Sequence, residues 1–503
     1  MSTSKRPLVW TIAGSDSGGG AGLQADLLTI HDLGAHGCSV VSSLTAQNSL
    51  GVLAVQPVAL ELFAQQCQAL VEDMPPRAIK LGLLGSAAQV HYLREALAQW
   101  RQQWPGLGVV LDPVLVATSG DRLAHTSLVE ALRSLLPFVD LVTPNIAELA
   151  ELDGRPITTL TDALASGQAL SKRFKVAVLV KGGHLDNGHH CEDALVEPAR
   201  TWWFRQPRQP TPHCHGTGCT LSSAWAAAWS QGYSLADAVT LANAYVQSGL
   251  RTAYATGQGA GTLARTGWPG AESMARMHCP GDPGELDFAP LERPLGIYPV
   301  VDSLTLLEAL LQAGATTVQF RWKDQPASDD RRNTLAEAVA LGRRFQAQVV
   351  INDYWQDALE LGAWGVHLGQ DDLPGADLQA LAAAGIRLGV STHGYAELGR
   401  ALSLKPSYIA LGHVFATRTK AMPSQPQGLA RLARYQQWVG DRCPTVAIGG
   451  IKTHHLADIV ACGVSSVAVV TAITAAREPV AAWRALDQQW QQLTEENRAW
   501  LSA

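Results

Sequence analysis

Apolar positions recur along this chain in two different rhythms. From residue 8 to about 268, short β-like runs alternate with Ala- and Leu-rich stretches of helical character, the runs including 8–13, 109–111, 141–143 and 176–180. Their spacing is irregular, which predicts an α/β unit with an open, mostly parallel sheet and helices on both faces. After Pro294 the rhythm becomes regular. Eight short runs rich in Val, Ile or Leu follow, at 296–302, 316–321, 348–353, 365–369, 387–392, 408–414, 445–451 and 466–471. Helical segments such as 304–313 and 334–346 separate them. Eight βα units in about 210 residues predict a closed (β/α)8 barrel.

Between the two rhythms lie GWPGAE (267–272) and CPGDPG (279–284). Pro and Gly at that density cannot continue a helix or a central strand. The expected organisation is therefore a first domain at 1–268, a linker at 269–292 and a second domain at 293–503.

Composition supports two well-cored units. The chain has 503 residues, too many for one ordinary core, with 47% apolar and 16% charged residues. A net charge of −6 leaves no basic footprint for nucleic acid. No signal-peptide core precedes the first strand and no apolar run is long enough to span a bilayer, so a cytoplasmic protein without a membrane partner is expected. The eight cysteines include no CxxC pair, which argues against a disulfide framework. His184, His189, His190 and Cys191 cluster locally, as do His213, Cys214 and His215. Their spacing is irregular and lacks a second ligand pair, so both read as polar loops rather than zinc sites.

Candidate chemistry in the first half sits at the ends of strand-like runs. The first run feeds a Gly-rich turn, Gly14 to Gly22, whose backbone N–H groups could approach a ligand closely. No GK[ST] follows, so it is not a Walker A loop. A stronger signal is His215-Gly216-Thr217-Gly218-Cys219-Thr220 ahead of a helical stretch. Small residues there present free N–H groups at a helix N-terminus, an anion hole able to stabilise a phosphoryl group in flight. Asn145 and Glu148, three residues apart after a strand end, suit Mg²⁺–phosphate water networks. Lys181 and Asp112 end two further runs, and the lysine can neutralise phosphate.

The segments GSDSGGGAGLQAD, LTAQNS, KLGLLGS, LDPV, TPNIAEL, KGGH and HGTGCT resemble the hydroxymethylpyrimidine and hydroxymethylpyrimidine-phosphate kinases of the ribokinase-like group, in that family's order over about residues 8–268. The resemblance implies that Gln47, Asp26 and Gly14 contact the pyrimidine, and that Asn145, Glu148 and Lys181 handle Mg-ATP. It implies that Gly216 to Gly218 form the anion hole. Cys219 stands where many ribokinase-like enzymes carry an aspartate base, a difference that discriminates against sugar and most pyridoxal kinases. A thiol base needs a lowered pKa, for which the helix N-terminus offers one influence. The chain departs from the family in lacking a proline near Ser17 and in carrying Leu83 where methionine is frequent.

In the second half, polar residues cluster where barrel strands end, the place where such barrels build active sites. Gln319, Arg321 and Lys323 alternate after the second run and share a face. Asn352 and Asp353 close the third, Gln370, Asp371 and Asp372 follow the fourth, and Ser391 and His393 end the fifth. Thr417, Thr419 and Lys420 lie beyond the sixth. Gly449 and Gly450 close the seventh, and Thr471 the eighth. Arg321, Lys323 and Lys420 would supply charge for a polyanion, and Asp353 and Asp372 hard oxygens for Mg²⁺. Gly449-Gly450 and Val470-Thr471 fall at the usual barrel phosphate site, so one mouth offers two anion subsites.

QFRWKD, INDY, GVHLGQDD, GVSTH, TRTK, AIGGI and VVTAI resemble thiamine-phosphate synthases over about residues 293–503. The resemblance implies that hydroxymethylpyrimidine diphosphate loses pyrophosphate and that the nitrogen of thiazole phosphate attacks the methylene carbon left behind. It assigns Gln319, Arg321, Lys323, Asn352, Ser391 and Lys420 to the pyrimidine diphosphate. It assigns Asp353 and Asp372 to Mg²⁺, and Thr417, Arg418, Thr419, Gly450, Val470 and Thr471 to the thiazole phosphate. Ala416 replaces a proline often found before the threonine pair. The partners so implied are small molecules, with ATP as co-substrate and Mg²⁺ as cofactor. A homo-oligomer stays open. Two rivals remain: an active kinase fused to a barrel that only binds thiamine phosphates, and a kinase of another small alcohol such as pyridoxine.

Overall fold

The computed structural model describes residues 6–115, 126–184, 188–322, 329–417 and 425–502. Contacts divide the chain into two compact units, Met1–Pro280 and Gly281–Ala503.

The strands of the first unit are β1 (Leu8–Ser15), β2 (His36–Asn48), β3 (Gly51–Pro57), β4 (Ala78–Leu81), β5 (Gly108–Leu111), β6 (Leu141–Val142), β7 (Ala177–Val180), β8 (His190–Val196), β9 (Thr201–Pro207) and β10 (Arg276–His278). They form one sheet in the order β10-β9-β8-β7-β6-β5-β4-β1-β2-β3. From β2 through β1 and β4 to β7 the pairings are parallel, and antiparallel strands extend both edges. Alternation along the strands explains the two covered faces. Trp10, Ile12, Ile79 and Leu81 pack with Phe63, Leu93 and Leu97 from helices on one side. Thr11 and Lys80 point the opposite way, to Asp26 on the helix Gly22–Asp32.

The second unit closes into a barrel of eight strands in sequence order: β11 (Ile297–Val301), β12 (Thr317–Phe320), β13 (Gln348–Asn352), β14 (Gly365–Leu368), β15 (Arg387–Thr392), β16 (Tyr408–Leu411), β17 (Thr445–Ile448) and β18 (Ser466–Val469). All eight pairings are parallel, with β18 returning to β11. Inward-facing Tyr298, Val300, Val350, Tyr408, Ala410, Val446 and Ala468 fill the lower interior.

The Pro- and Gly-rich stretch between the two rhythms is largely folded onto its own unit. Residues 276–278 are β10, paired antiparallel with β9 at Met277–Phe204. Asp282 forms an ion pair with Arg400, and the Ser407 hydroxyl donates to the Ala289 carbonyl at 2.7 Å. Pro and Gly exclude a helix or a central strand there, but not a three-residue edge strand or an anchored strap.

Candidate active sites

The parallel strands of the first unit end on one cleft of about 970 Å³. Gly14, Gln47, Asn145, Glu148, Lys181 and the segment Gly216 to Cys219 all line it, so these sequence-identified residues come together. Gly216 caps the helix Thr217–Ser230 in the left-handed region, at φ 81°, and a Cβ on it would meet the Gly20 carbonyl oxygen at 1.9 Å. Gly218 is tightly enclosed, because a Cβ there would lie 3.1 Å from Asp112 Oδ2 and 3.5 Å from Lys181 Nζ. The backbone at Gly218 therefore sits close to a carboxylate and an ammonium. Lys181 Nζ donates to Asp112 Oδ1 at 3.2 Å, and Thr143 Oγ1 donates to the same oxygen. Burial opposes the Lys181 charge, but Asp112 and Glu148 outweigh it and hold its pKa above the ordinary value.

Three expectations for this cleft change. Asp26, expected on the pyrimidine, is fully buried beneath the wall. Its Oδ2 takes Lys80 Nζ at 2.7 Å and Thr11 Oγ1 at 2.6 Å, and its Oδ1 takes Ser223 Oγ at 2.7 Å. Cys219 occupies the first turn of its helix, but burial dominates and pushes its thiol up to about 11, with Lys80 pulling the other way. The helix N-terminus does not make it acidic. The N–H groups of Gly18, Gly20 and Ala21, expected to face a ligand, instead donate to the Asp16 carboxylate at 2.8, 3.1 and 2.8 Å. Asp16 also meets His215 Nε2 at 3.0 Å. The Gly-rich loop is thus folded around its own aspartate and pinned to the anion-hole segment. Burial by itself would raise Asp16, yet His215 and these amides hold it below the usual carboxylate range.

Asn145 and Glu148 form a capping box on the helix Ile146–Asp153, the Asn145 side chain accepting from Glu148 N and Glu148 Oε2 accepting from Asn145 N. Burial pushes Glu148 up to about 7, with Lys181 opposing and Asp112 reinforcing. Asp193 also lines the cleft and is pushed up to about 6 by burial. Of the two histidine-rich loops, His213 Nδ1 accepts from Gly261 N and His215 meets Asp16.

In the barrel, strands deliver polar side chains to the interior above the apolar floor. Gln319 Nε2 donates to the Tyr298 hydroxyl at 3.1 Å, and the Tyr298 and Tyr408 hydroxyls lie 2.8 Å apart. His367 bridges Tyr408, at 2.9 Å from Nδ1, to Ser391 Oγ, at 2.8 Å from Nε2. Burial, with Arg321 nearby, pushes His367 down to about 4, so the ring is neutral. Gln370 Nε2 donates to the Ser391 carbonyl at 2.9 Å, and Arg400 holds Gln370 in turn. Asp353 and Asp372 line one hollow of about 340 Å³ together with Asp371 and Arg331. Asp353 adopts φ 66°, a left-handed backbone that a non-glycine residue rarely takes and that often marks a functional position. Gly449 and Gly450 also have positive φ, and a Cβ on Gly450 would meet the Ala416 carbonyl at 2.4 Å, so the loops after β16 and β17 approach closely. Val470 precedes the short helix Thr471–Thr474 after β18. Lys323, Arg418, Thr419 and Lys420 lie outside the described residues.

Residues 297–473 match the family described as Thiamine monophosphate synthase, and residues 16–264 the one described as Phosphomethylpyrimidine kinase. A thiamine-phosphate synthase of Serratia proteamaculans is 55% identical over 201 residues, which cover 40% of this chain and 92% of that protein. The chain belongs to the thiamine-phosphate synthase family, with a phosphomethylpyrimidine kinase joined ahead of it. A pyridoxal kinase from Staphylococcus aureus in complex with AMP-PCP is 25% identical, with a TM-score of 0.50 over 55% of this chain and 99% of its own. A phosphomethylpyrimidine kinase from Clostridium difficile 630 is 36% identical over 48% of this chain and 98% of its own, at a TM-score of 0.42.

This fusion is a bifunctional enzyme of thiamine biosynthesis. No helix among its described residues is long and apolar enough to cross a membrane. In the kinase, the sequence does not single out Asp16, Lys80 and Asp193, all of which line the cleft. In the synthase it does not single out Tyr298, His367 and Tyr408. The signal available for the last three was a polar or aromatic group at an inward position of a barrel strand, where aliphatic residues are the rule.

Proposed function

We propose that this chain carries hydroxymethylpyrimidine through two ATP-dependent phosphorylations and then joins the diphosphate to thiazole phosphate, releasing thiamine phosphate and pyrophosphate. The domains proposed for these steps are 1–268 and 293–503. The observation that carries the reading is the pairing of sites: one unit sets a glycine-rich helix N-terminus near a Lys–Asp–Glu cluster, which could receive a phosphoryl group, and the other has a barrel mouth that could receive a diphosphate.

In the kinase, the substrate oxygen forms a bond to the γ-phosphorus as the bond to the ADP oxygen breaks, and in the first transfer the hydroxyl proton passes to a phosphoryl oxygen and on to solvent. The backbone at Gly216 to Gly218 and Lys181 would stabilise charge on the moving phosphoryl group. Gln47 and Gly14 would position the pyrimidine, and Asp26 would act only from below, by fixing Lys80. Cys219 holds its proton near neutral pH. Its contribution would be as a close neutral contact, since transfer of this kind depends chiefly on positioning and electrostatics.

In the synthase, the bond from the methylene carbon to the diphosphate oxygen breaks, and the thiazole nitrogen supplies the electron pair for the new C–N bond. Arg321, Lys323, Asn352 and Lys420 would hold the departing pyrophosphate, with Gln319 and Ser391 on the pyrimidine. Thr417, Arg418, Thr419, Gly450, Val470 and Thr471 would hold the thiazole phosphate. Asp353 and Asp372 share one hollow, and two carboxylates with water and phosphate oxygens are a donor set that Mg²⁺ accepts. Bound there, the ion would neutralise diphosphate charge. Asn145 and Glu148, which line the cleft, would serve Mg-ATP in the kinase.

The test supplies the purified chain with hydroxymethylpyrimidine, ATP, Mg²⁺ and thiazole phosphate. Thiamine phosphate is expected only when all four are present. Formation of the diphosphate without thiamine phosphate would reduce the barrel to a binding module and refute the second half.

A further inference from the structure

Five strands of the barrel contribute to one buried hydrogen-bond chain, and its polarity follows from counting donors. Tyr298 accepts a proton from Gln319 Nε2. Its own hydroxyl hydrogen then needs an acceptor, and among the described residues the one in reach is the Tyr408 oxygen. Tyr408, having accepted, donates onward to His367 Nδ1. With Nδ1 accepting, a neutral imidazole carries its hydrogen on Nε2, which donates to Ser391 Oγ. With the Gln319 amide nitrogen facing Tyr298, the reverse order fails the count. If Ser391 donated to Nε2 and Nδ1–H to Tyr408, Tyr408 would donate to Tyr298, and the Tyr298 hydrogen would be left buried without a partner. An imidazolium, which has no acceptor nitrogen, fails in the same way.

The backbone is shaped to admit this chain. Gly389, on β15, faces Tyr408 on the neighbouring strand. A Cβ at Gly389 would lie 2.1 Å from Tyr408 Cζ and 2.3 Å from its hydroxyl oxygen. A side chain of any kind there would displace the phenol from His367.

We propose that Tyr408 and Tyr298 are positioning residues which, through His367, fix Ser391 Oγ as a hydrogen-bond donor toward the pyrimidine diphosphate. Both tyrosines are buried below the strand ends, at 1% and 0% exposure. Ser391 has accepted from His367, so its hydrogen is turned outward to meet an acceptor on the pyrimidine or its diphosphate. The same count turns Gln319 Oε1 away from Tyr298 as an acceptor. The proposal rests on the synthase reading for the identity of the ligand, but the direction of the chain does not.

The test has two readouts on the full chain. In protein labelled with ¹⁵N-histidine, His367 (assigned by its loss in His367→Gln) should show a protonated Nε2 and a pyridine-type Nδ1. A protonated Nδ1 in the unaltered protein would overturn the proposal whatever the assays show. In Tyr408→Phe the Nδ1 loses its donor. The KM for pyrimidine diphosphate should then rise about tenfold, the loss of one hydrogen bond. The KM for thiazole phosphate and the kinase rate of the same preparation should stay within about twofold, well inside that one-bond effect. Tyr298→Phe should act in the same direction and more weakly. An equal rise in both KM values would make the tyrosines mere packing and refute the proposal. If the unaltered chain forms no thiamine phosphate, the synthase reading falls, and the ¹⁵N spectrum still decides the relay.

Discussion

Replacing Asp282 with alanine removes one half of an ion pair that is almost wholly enclosed. The Arg400 side chain is 1% exposed and that of Asp282 6%. Asp282 accepts from Arg400 Nε at 3.2 Å and 2.9 Å through its two oxygens, and from a second guanidinium nitrogen. Stranding a buried charge in this way costs about 3–5 kcal/mol. The lower figure applies here, because Arg400 keeps the Gln370 carbonyl at 3.4 Å and its amide oxygen at 3.3 Å. For a unit of this size about 3 kcal/mol lowers the melting midpoint by roughly 6–12 °C. Heating the full chain in steps and assaying both activities from the same tube reads the effect. The synthase should inactivate at the lower temperature while the kinase curve stays in place. Gln370 also carries the Ser391 carbonyl, so the KM for pyrimidine diphosphate should rise as well. The double change Asp282→Leu with Arg400→Met should recover most of the stability. A synthase midpoint that moves by less than about 2 °C, below the shift for 1 kcal/mol, would refute the argument.

Other consequences are equally open to measurement. Asp353→Ala or Lys420→Ala should lower synthase turnover by orders of magnitude and leave the kinase unchanged. Asp26→Asn should act on folding rather than on recognition. It strands the fully buried Lys80, so the kinase unit should melt earlier by the equivalent of about 3–5 kcal/mol, with little change in the KM of the enzyme that remains folded. Glu148 binds its proton more tightly folded than unfolded, so its contribution to stability is complete below pH 4.5 and is lost as pH rises through about 7. Kinase melting measured between pH 5 and pH 8 should show this slope, and Glu148→Gln should flatten it. Cys219→Ser should keep kinase turnover within about tenfold near neutral pH, well short of the loss expected for a general base; a loss beyond about a thousandfold would restore the thiol to that role.

The barrel was legible because each of its strands is enclosed on both faces, and enclosure selects Val, Ile and Leu in short runs that periodicity detects. Its mouth was legible because polar residues at strand ends break those runs. The relay beneath was not. Tyr298 and Tyr408 are ordinary strand formers, and they meet across 110 positions of sequence. Asp26 shows the opposite failure. Its place in a Gly-rich motif suggests a ligand contact, yet its partner is Lys80, brought over by β4 from 54 residues away. Cys219 shows why position in a helix is an incomplete guide to acidity. The first turn is visible in sequence, whereas the burial that outweighs it is set by packing from distant parts of the chain, with Asp26 and Asp112 adding to it.

The short strand β10 sets where such a fusion can be divided. A chain ended at residue 268 would strip the outer edge of β9, where Met277 pairs with Phe204 and His278 stacks on Trp203. That would open a row of backbone groups to the edge of another molecule, a route to aggregation. A barrel begun at residue 293 would enter the cell with Arg400 already deprived of Asp282. Gene fission or a designed split that keeps both enzymes sound therefore has a narrow window, between the end of β10 and Asp282. The natural seam lies where backbone pairing changes owner, some way from where composition first turns to proline and glycine.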